Sequence, residues 1–276
     1  MPIPLEDLCN DVISKSMRGL GLSDADVAAK AGVNVEAVAA AKSGSADDAV
    51  LLKIAPALQL DGPALVTMAH AAWAPLDVQL PGLAQFNTPY HDMTVNAYLV
   101  WDAESKNAVA FDTGADATPI IEFIQKNGLN LSLIFLTHTH GDHIQDLAKL
   151  SADGVVTTFV NEAESCPGAG VKTFKLGDTE SWETGGLRVE PRSTRGHSKG
   201  GVTYVVHGLA QPVAVVGDAL FASSMGGGMV SYADALATNR KEIFSLPDDT
   251  IICPGHGPLT TVGEEKEHNP FYPEFK

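Results

Sequence analysis

LSLIFLTHTHGDH, residues 131–143, runs from an apolar stretch straight into three histidines and an aspartate. An apolar run of strand length that ends in a polar, glycine-containing turn reads as a buried β-strand, and α/β sheets place their ligand sites at such strand ends. On an extended backbone His138 and His140 are two residues apart and project from one face, so both imidazoles can hold a single metal ion. Gly141 then lets the chain turn and presents Asp142 and His143 in another direction, which invites a second ion. Solvation alone does not call for imidazoles at this density.

Three more candidates follow apolar strands or sit in glycine turns: His197 in RGHSKGG, Asp218 in VAVVGDALF and His256 in IICPGHGP. Singly, a Gly-His is a common turn histidine and a Gly-Asp a common helix cap. Their joint occurrence with THTHGDH, in this order, is what carries the signal. His70, His91, His207 and His268 lack such a context and read as surface or packing residues.

The sequence around these motifs predicts strands at Ala97–Trp101, Ala108–Phe111, Leu131–Leu136, Val155–Val160, Gly201–Val206, Val213–Val216 and Ile251–Cys253. A helix is expected at Pro119–Lys126, stopped by Gly128, and another after His143. Strands and helices mixed in this way indicate a layered α/β domain. Residues 1–75 read as helical throughout, and 74–84, with Pro75, Pro81 and Gly82, as a linker. The expected organisation is a helical domain over 1–75 and a catalytic domain over 76–276. In the first, Leu5, Leu8, Val12, Met17 and Leu20 suggest one amphipathic helix ending before Gly21. Ser23 and Asn34 suit the N-caps of the next two, Ser45 with Asp48 resembles a capping box for a fourth, Pro56 ends or kinks it, and Asp61-Gly62-Pro63 opens a fifth.

The motif set resembles the metallo-β-lactamase superfamily of metal-dependent hydrolases, over about residues 84–270. That resemblance implies a four-layer αβ/βα sandwich. Carried over residue by residue, it implies that His138, His140 and His197 hold one divalent ion, that Asp142, His143 and His256 hold a second, and that Asp218 bridges them. Zinc is the expected metal, with iron or manganese also suited to nitrogen and carboxylate donors. A bridging hydroxide would then attack a carbonyl, with Asp142 and Asp218 as the catalytic carboxylates and no protein nucleophile. Asp112, in AVAFDTG, matches a superfamily motif whose aspartate supports ligands rather than binding metal. Within the superfamily, GDALF and the segment LPDDTIICPGHGPLTTVGEEKEHNPF resemble glyoxalase II, which implies a thioester, ester or lactone as substrate. Glyoxalase II carries a helical domain after its last ligand, whereas only a short tail follows His256 here. The glycine-rich stretch between Asp218 and His256 suggests a different pocket. Arg192, Arg195, Lys199 and Arg240 are cations available to an anionic substrate. A mononuclear iron persulfide dioxygenase of the same fold is the alternative; it would need only two histidines and one aspartate, fewer than this set.

LSDADVAAKAGVNVEAVAAAKSG, continuing to LLKIAPALQLDGPAL, is similar to the Cro/phage-repressor helix-turn-helix, which would make the chain a metal-dependent DNA-binding regulator. Charge argues the other way: residues 1–78 carry five Lys+Arg against ten Asp+Glu, and the whole chain is at -16. The helices are therefore expected to serve in packing, substrate covering or homo-oligomer formation, with a small molecule rather than nucleic acid as partner. No apolar run is long enough to span a bilayer, and MPIPLEDLCND lacks the basic and apolar regions of a secretory signal. Cys9, Cys166 and Cys253 form no C-x-x-C spacing, which fits a reduced, cytoplasmic setting.

Overall fold

A computed structural model describes residues 3–152, 154–165, 168, 170–178 and 181–276. Five short helices open the chain: α1 (Cys9–Leu20), α2 (Asp24–Ala31), α3 (Val35–Lys42), α4 (Asp48–Ala57) and α5 (Gly62–Ala69). Their boundaries follow side-chain capping. Ser23, Asn34 and Asp61 accept the N–H groups of Asp26, Ala37 and Ala64, and left-handed Gly21 and Gly32 close α1 and α2. Two expectations need correcting. The first helix begins at Cys9, leaving Leu5 and Leu8 outside it, because the Asp11 carboxylate takes the Leu8 N–H and fixes the start there. The cap of α4 is Asp47 rather than Ser45: its carboxylate accepts from both Ala49 and Val50 and faces the positive end of the helix.

The rest of the described chain builds two six-stranded sheets, each in sequence order. The first holds β1 (Leu83–Tyr90), β2 (Met93–Trp101), β3 (Asn107–Phe111), β4 (Asn130–Phe135), β5 (Thr157–Asn161) and β6 (Val171–Phe174). It is antiparallel through β3 and parallel from β3 to β6. The second holds β7 (Trp182–Thr184), β8 (Leu187–Ser193), β9 (Val202–His207), β10 (Val213–Gly217), β11 (Ile251–Pro254) and β12 (Thr260–Thr261), with β10 and β11 its parallel pair. Each expected strand falls on one of these, with the Val155–Val160 run shifted to Thr157–Asn161. β1 overlaps the end of the anticipated linker. Being half-exposed and interrupted by Pro89, it lacks the apolar run that marked the others. Helix α6 (Thr118–Asn127) ends at left-handed Gly128 as expected, and α7 (Gly141–Ile144) and α8 (Leu147–Leu150) follow the histidine motif. The sequence reading did not anticipate α9 (Tyr232–Glu242), α10 (Val262–His268) or the strands β6, β7, β8 and β12.

Strand parity sorts the core into layers. Tyr98, Val100, Val109, Phe111 and Phe135 of the first sheet meet Val189, Tyr204, Val206, Val213, Val215 and Ile251 of the second in one buried cluster between the sheets. Their chain neighbours point outward. Ala97, Leu99, Ala108, Ala110 and Ile134 pack under Ile120 of α6 and Leu147 and Leu150 of α8. On the far side, Val205, Ala214, Val216 and Ile252 meet Ala235 of α9 and Val262 of α10. Val12, Ile13, Leu51, Ile54 and Leu65 of the N-terminal helices belong to that same cluster, so their apolar faces are buried against the second sheet's outer layer. Among the described residues no helix is long and apolar enough to cross a membrane.

Candidate metal centre

The candidate donors lie beyond strand ends, with Asp142 and His143 on α7 after the β4 loop. His138 follows β4, His197 follows β8, Asp218 follows β10 and His256 follows β11. Because β3 and β4 are parallel, as are β10 and β11, these loops gather at one edge of the sandwich. There the ligand atoms of His138, His140, His197 and Asp218 lie within 4.8 Å of one another, and so do those of Asp142, His143 and His256. Asp218 joins the two sets: one oxygen is 3.2 Å from His143 Nε2, and the other is 3.3 Å from His197 Nε2 and 3.5 Å from His256 Nε2. Asp142 Oδ2 lies 3.3 Å from His256 Nε2 and 3.5 Å from His143 Nε2.

The unused nitrogens are tied down. His143 donates through Nδ1 to Asp112 (2.8 Å), His197 to the Gly227 carbonyl (3.0 Å) and His256 to the Thr94 carbonyl (2.6 Å). Asp112 also accepts from the Thr137 N–H and hydroxyl, and that hydroxyl is 3.1 Å from His138 Nδ1. One carboxylate thus orients an imidazole of each set, and it does so from a residue with φ 56°. Glu164 binds the Thr139 N–H and hydroxyl and the Gly200 N–H, bracing the loops that carry His140 and His197. Gly255 has no substitute, since a Cβ there would overlap Asp218 and His143.

With the outer nitrogens of His138, His143, His197 and His256 so fixed, His138 Nε2, His143 Nε2 and Asp218 Oδ1 are buried with no hydrogen-bond partner, although all three face the centre. Orphaned buried atoms of this kind are costly unless an ion satisfies them. Electrostatics agree. Burial opposes charge on His143, but Asp218 and Asp112 outweigh it and push it up to about 10; Asp142 and Asp218 likewise overcome burial to carry His256 up to about 11. Burial and the neighbouring imidazoles hold His138 well below the usual histidine range. Despite its burial, Asp218 is kept well below the usual carboxylate range by His143 and His256. The centre is a negative focus that attracts protons in place of cations. Nitrogen and carboxylate donors in this number fit two borderline divalent ions.

The cations proposed from sequence fare differently. Arg192 pairs with Glu190, Arg195 with Asp234 and Arg240 with Glu274, while Lys199 is exposed. Sequence reasoning missed Glu164 and the carbonyls of Thr94 and Gly227. A backbone carbonyl carries no residue signature, and Glu164 reaches its partners only through the fold. Cys166 lies outside the described residues; Cys9 and Cys253 are buried free thiols.

Comparison with known proteins bears on the whole arrangement. The model of the Metallo-beta-lactamase superfamily matches residues 92–256. Hydroxyacylglutathione hydrolase GloC of Haemophilus influenzae is 32% identical over 198 residues, covering 64% of this chain and 92% of that protein. The crystal structure of the BLEG-1 B3 metallo-beta-lactamase aligns with a TM-score of 0.57 at 30% identity, covering 68% of this chain and 99% of that one. TTHA1623, solved in a di-iron-bound form, aligns with a TM-score of 0.54 at 28% identity, covering 67% and 99%. The two solved structures align over about two thirds of the chain. The family match spans every donor position, and the fold it implies is the one observed: the chain belongs to the metallo-beta-lactamase superfamily.

Proposed function

We propose that this chain is a dinuclear metal-dependent hydrolase of a thioester, ester or lactone. The observation that carries the reading is the pair of donor sets joined through Asp218. His138, His140 and His197 would hold one ion, Asp142, His143 and His256 the other, and Asp218 would reach both. Zinc is the metal we assign, and the same donors accept iron or manganese. When bound, such a pair supplies a water of lowered pKa and a Lewis acid for the substrate's carbonyl oxygen. The chain's own part is orientation and proton handling. Asp112, Thr94 and Gly227 fix the imidazoles, and Asp142, whose side chain is 13% exposed, is the carboxylate of the centre that most nearly meets solvent. Among the described residues no thiol competes as nucleophile: burial pushes Cys253 well above the ordinary thiol range and Cys9 up to about 11. Similarity to a hydroxyacylglutathione hydrolase favours the thioester among the three bonds. Seven donors also exceed what the mononuclear dioxygenase reading needs.

We further propose that residues 1–75 act as a helical unit that packs against the catalytic part, or pairs with a second copy, rather than reading DNA. The face of α3 that a helix-turn-helix would present carries Val35, Glu36, Ala39 and Ala40, and the helix's one cation, Lys42, is paired with Asp24 at 2.7 Å. Little is left for phosphates.

The test is a panel of thioesters, lactones and phosphoesters offered to metal-analysed protein. Close to two ions per chain and turnover of a thioester are expected. One tightly held iron per chain, or turnover confined to phosphoesters, overturns the reading.

A further inference from the structure

The N-terminal helices reach the metal centre. Gly19 of α1 lies flat against the Tyr232 ring, where any Cβ would collide. Lys15 donates to the Met225 carbonyl (2.9 Å) and is paired with Asp7, which also accepts from Ser224. On the other side of the centre, Gly257, next to His256, faces the backbone of Glu6, and a Cβ there would lie 3.2 Å from the Glu6 nitrogen. Helix α1 is thereby docked on the segment 224–232, the glycine-rich stretch the sequence singled out.

Within that segment the three consecutive glycines have different surroundings. A Cβ on Gly226 would overlap Asp218, and one on Gly228 would overlap Tyr232. Gly227 is open: its nearest neighbours are Arg18 Nη2, 3.1 Å from the Cβ position, and Met229 Sδ at 3.4 Å. The carbonyl of the same Gly227 accepts from His197. Arg18 therefore stands one residue away from a metal-binding histidine. It is exposed, and among the described residues its guanidinium has neither a carboxylate within 4.0 Å nor a hydrogen-bond acceptor. Lys15, one turn earlier, has its charge engaged by Asp7. Met229 and Val230, also exposed, add an apolar rim beside it.

We infer that Arg18 is an anion-binding, specificity-determining residue at the mouth of the centre, taking a carboxylate or phosphate group carried on the thiol portion of the substrate. A planar guanidinium with all its donors free is suited to either acid by two parallel hydrogen bonds. In a chain at -16, a cation placed there also reverses the local repulsion that an anionic substrate would meet. This inference deepens the hydrolase reading and rests on it for the identity of the reacting bond.

The experiment compares the full-length wild type with Arg18→Ala, Arg18→Lys and, as a charge-matched control, Lys30→Ala on exposed α2. Kinetic substrates are butyryl-N-acetylcysteamine, butyryl-glutathione and butyryl-phosphopantetheine; calorimetry follows binding of S-methylglutathione and phosphopantetheine, which carry no acyl group. In Arg18→Ala, the preference in kcat/KM for one acid-bearing thioester over the neutral one is expected to fall about tenfold, with a similar loss in binding of the matching ligand. Arg18→Lys recovers part of it, and Lys30→Ala leaves the preference unchanged. Which acid responds tells carboxylate from phosphate. If no thioester turns over while one ligand still binds in an Arg18-dependent way, the choice of a thioester as the reacting bond falls and the subsite stands. A preference and both affinities within about twofold of wild type in Arg18→Ala overturn the inference.

Discussion

His143 and His256 are buried and lean on the first sheet, through Asp112 beyond β3 and the Thr94 carbonyl on β2. His140 and His197 are more open and lean on loops, through Glu164 and the Gly227 carbonyl. The two donor sets thus share a centre in Asp218 and Asp112 but not a foundation. One is set in rigid sheet. The other depends on how the segment 218–231 is held, and α1 packs against that segment.

Removing the shared centre erases the contrast. Asp218→Ala should release both ions together and lower kcat/KM by more than about a hundredfold, read by elemental analysis beside steady-state rates. An undiminished variant that still holds one tight ion would show that the sets are independent. Asp112→Ala should follow, weakening both sets by roughly 10- to 100-fold in a chelator competition, because it frees an imidazole of each. Glu164→Ala sharpens the contrast instead: only the open set should weaken, by about tenfold, and equal weakening of both ions would refute the division of supports.

Smaller effects come from what holds the loop. Gly19→Ala should cost about 1–3 kcal/mol in urea unfolding, since the new methyl drives α1 off Tyr232. Buried Glu265 accepts from the Ser223 N–H, Thr260 and Asn269, yet burial outweighs those bonds and raises it from near 4.5 to about 7. A carboxyl raised on folding binds its proton more tightly in the folded state, so its contribution to stability declines as pH rises from about 4.5 to 7. Glu265→Gln should flatten that decline, by up to about 3 kcal/mol across the window, as followed by denaturant midpoints at several pH values. An unchanged slope would assign it to other groups.

Most of the donors were legible because they follow an apolar run with a local signature, a histidine or aspartate beside glycine; His197 has the glycine turn, although β8 before it, LRVEPRS, gives no apolar run. The layers were legible for the same reason, as in Val213–Val216, where alternate residues enter different cores. Half-exposed β1 and short β7 gave no such run, and α9, with the polar sequence YADALATNRKE, has no strong apolar stripe. The N-terminal helices announced themselves through caps. Their docking did not, because Gly19 in a helix looks like a weak residue until Tyr232 arrives from more than two hundred positions away. Arg18 stayed hidden for the same reason: nothing nearby in sequence relates it to His197.

That separation has a consequence for the chain as it is made. Asp7 finds Ser224 217 residues later, and Lys15 finds Met225 after 210. Synthesis at about 5–20 residues per second leaves the apolar faces of α1, α4 and α5 without their final cover for on the order of 10–40 s on the ribosome. During that interval the first helices emerge ahead of the surface meant to receive them.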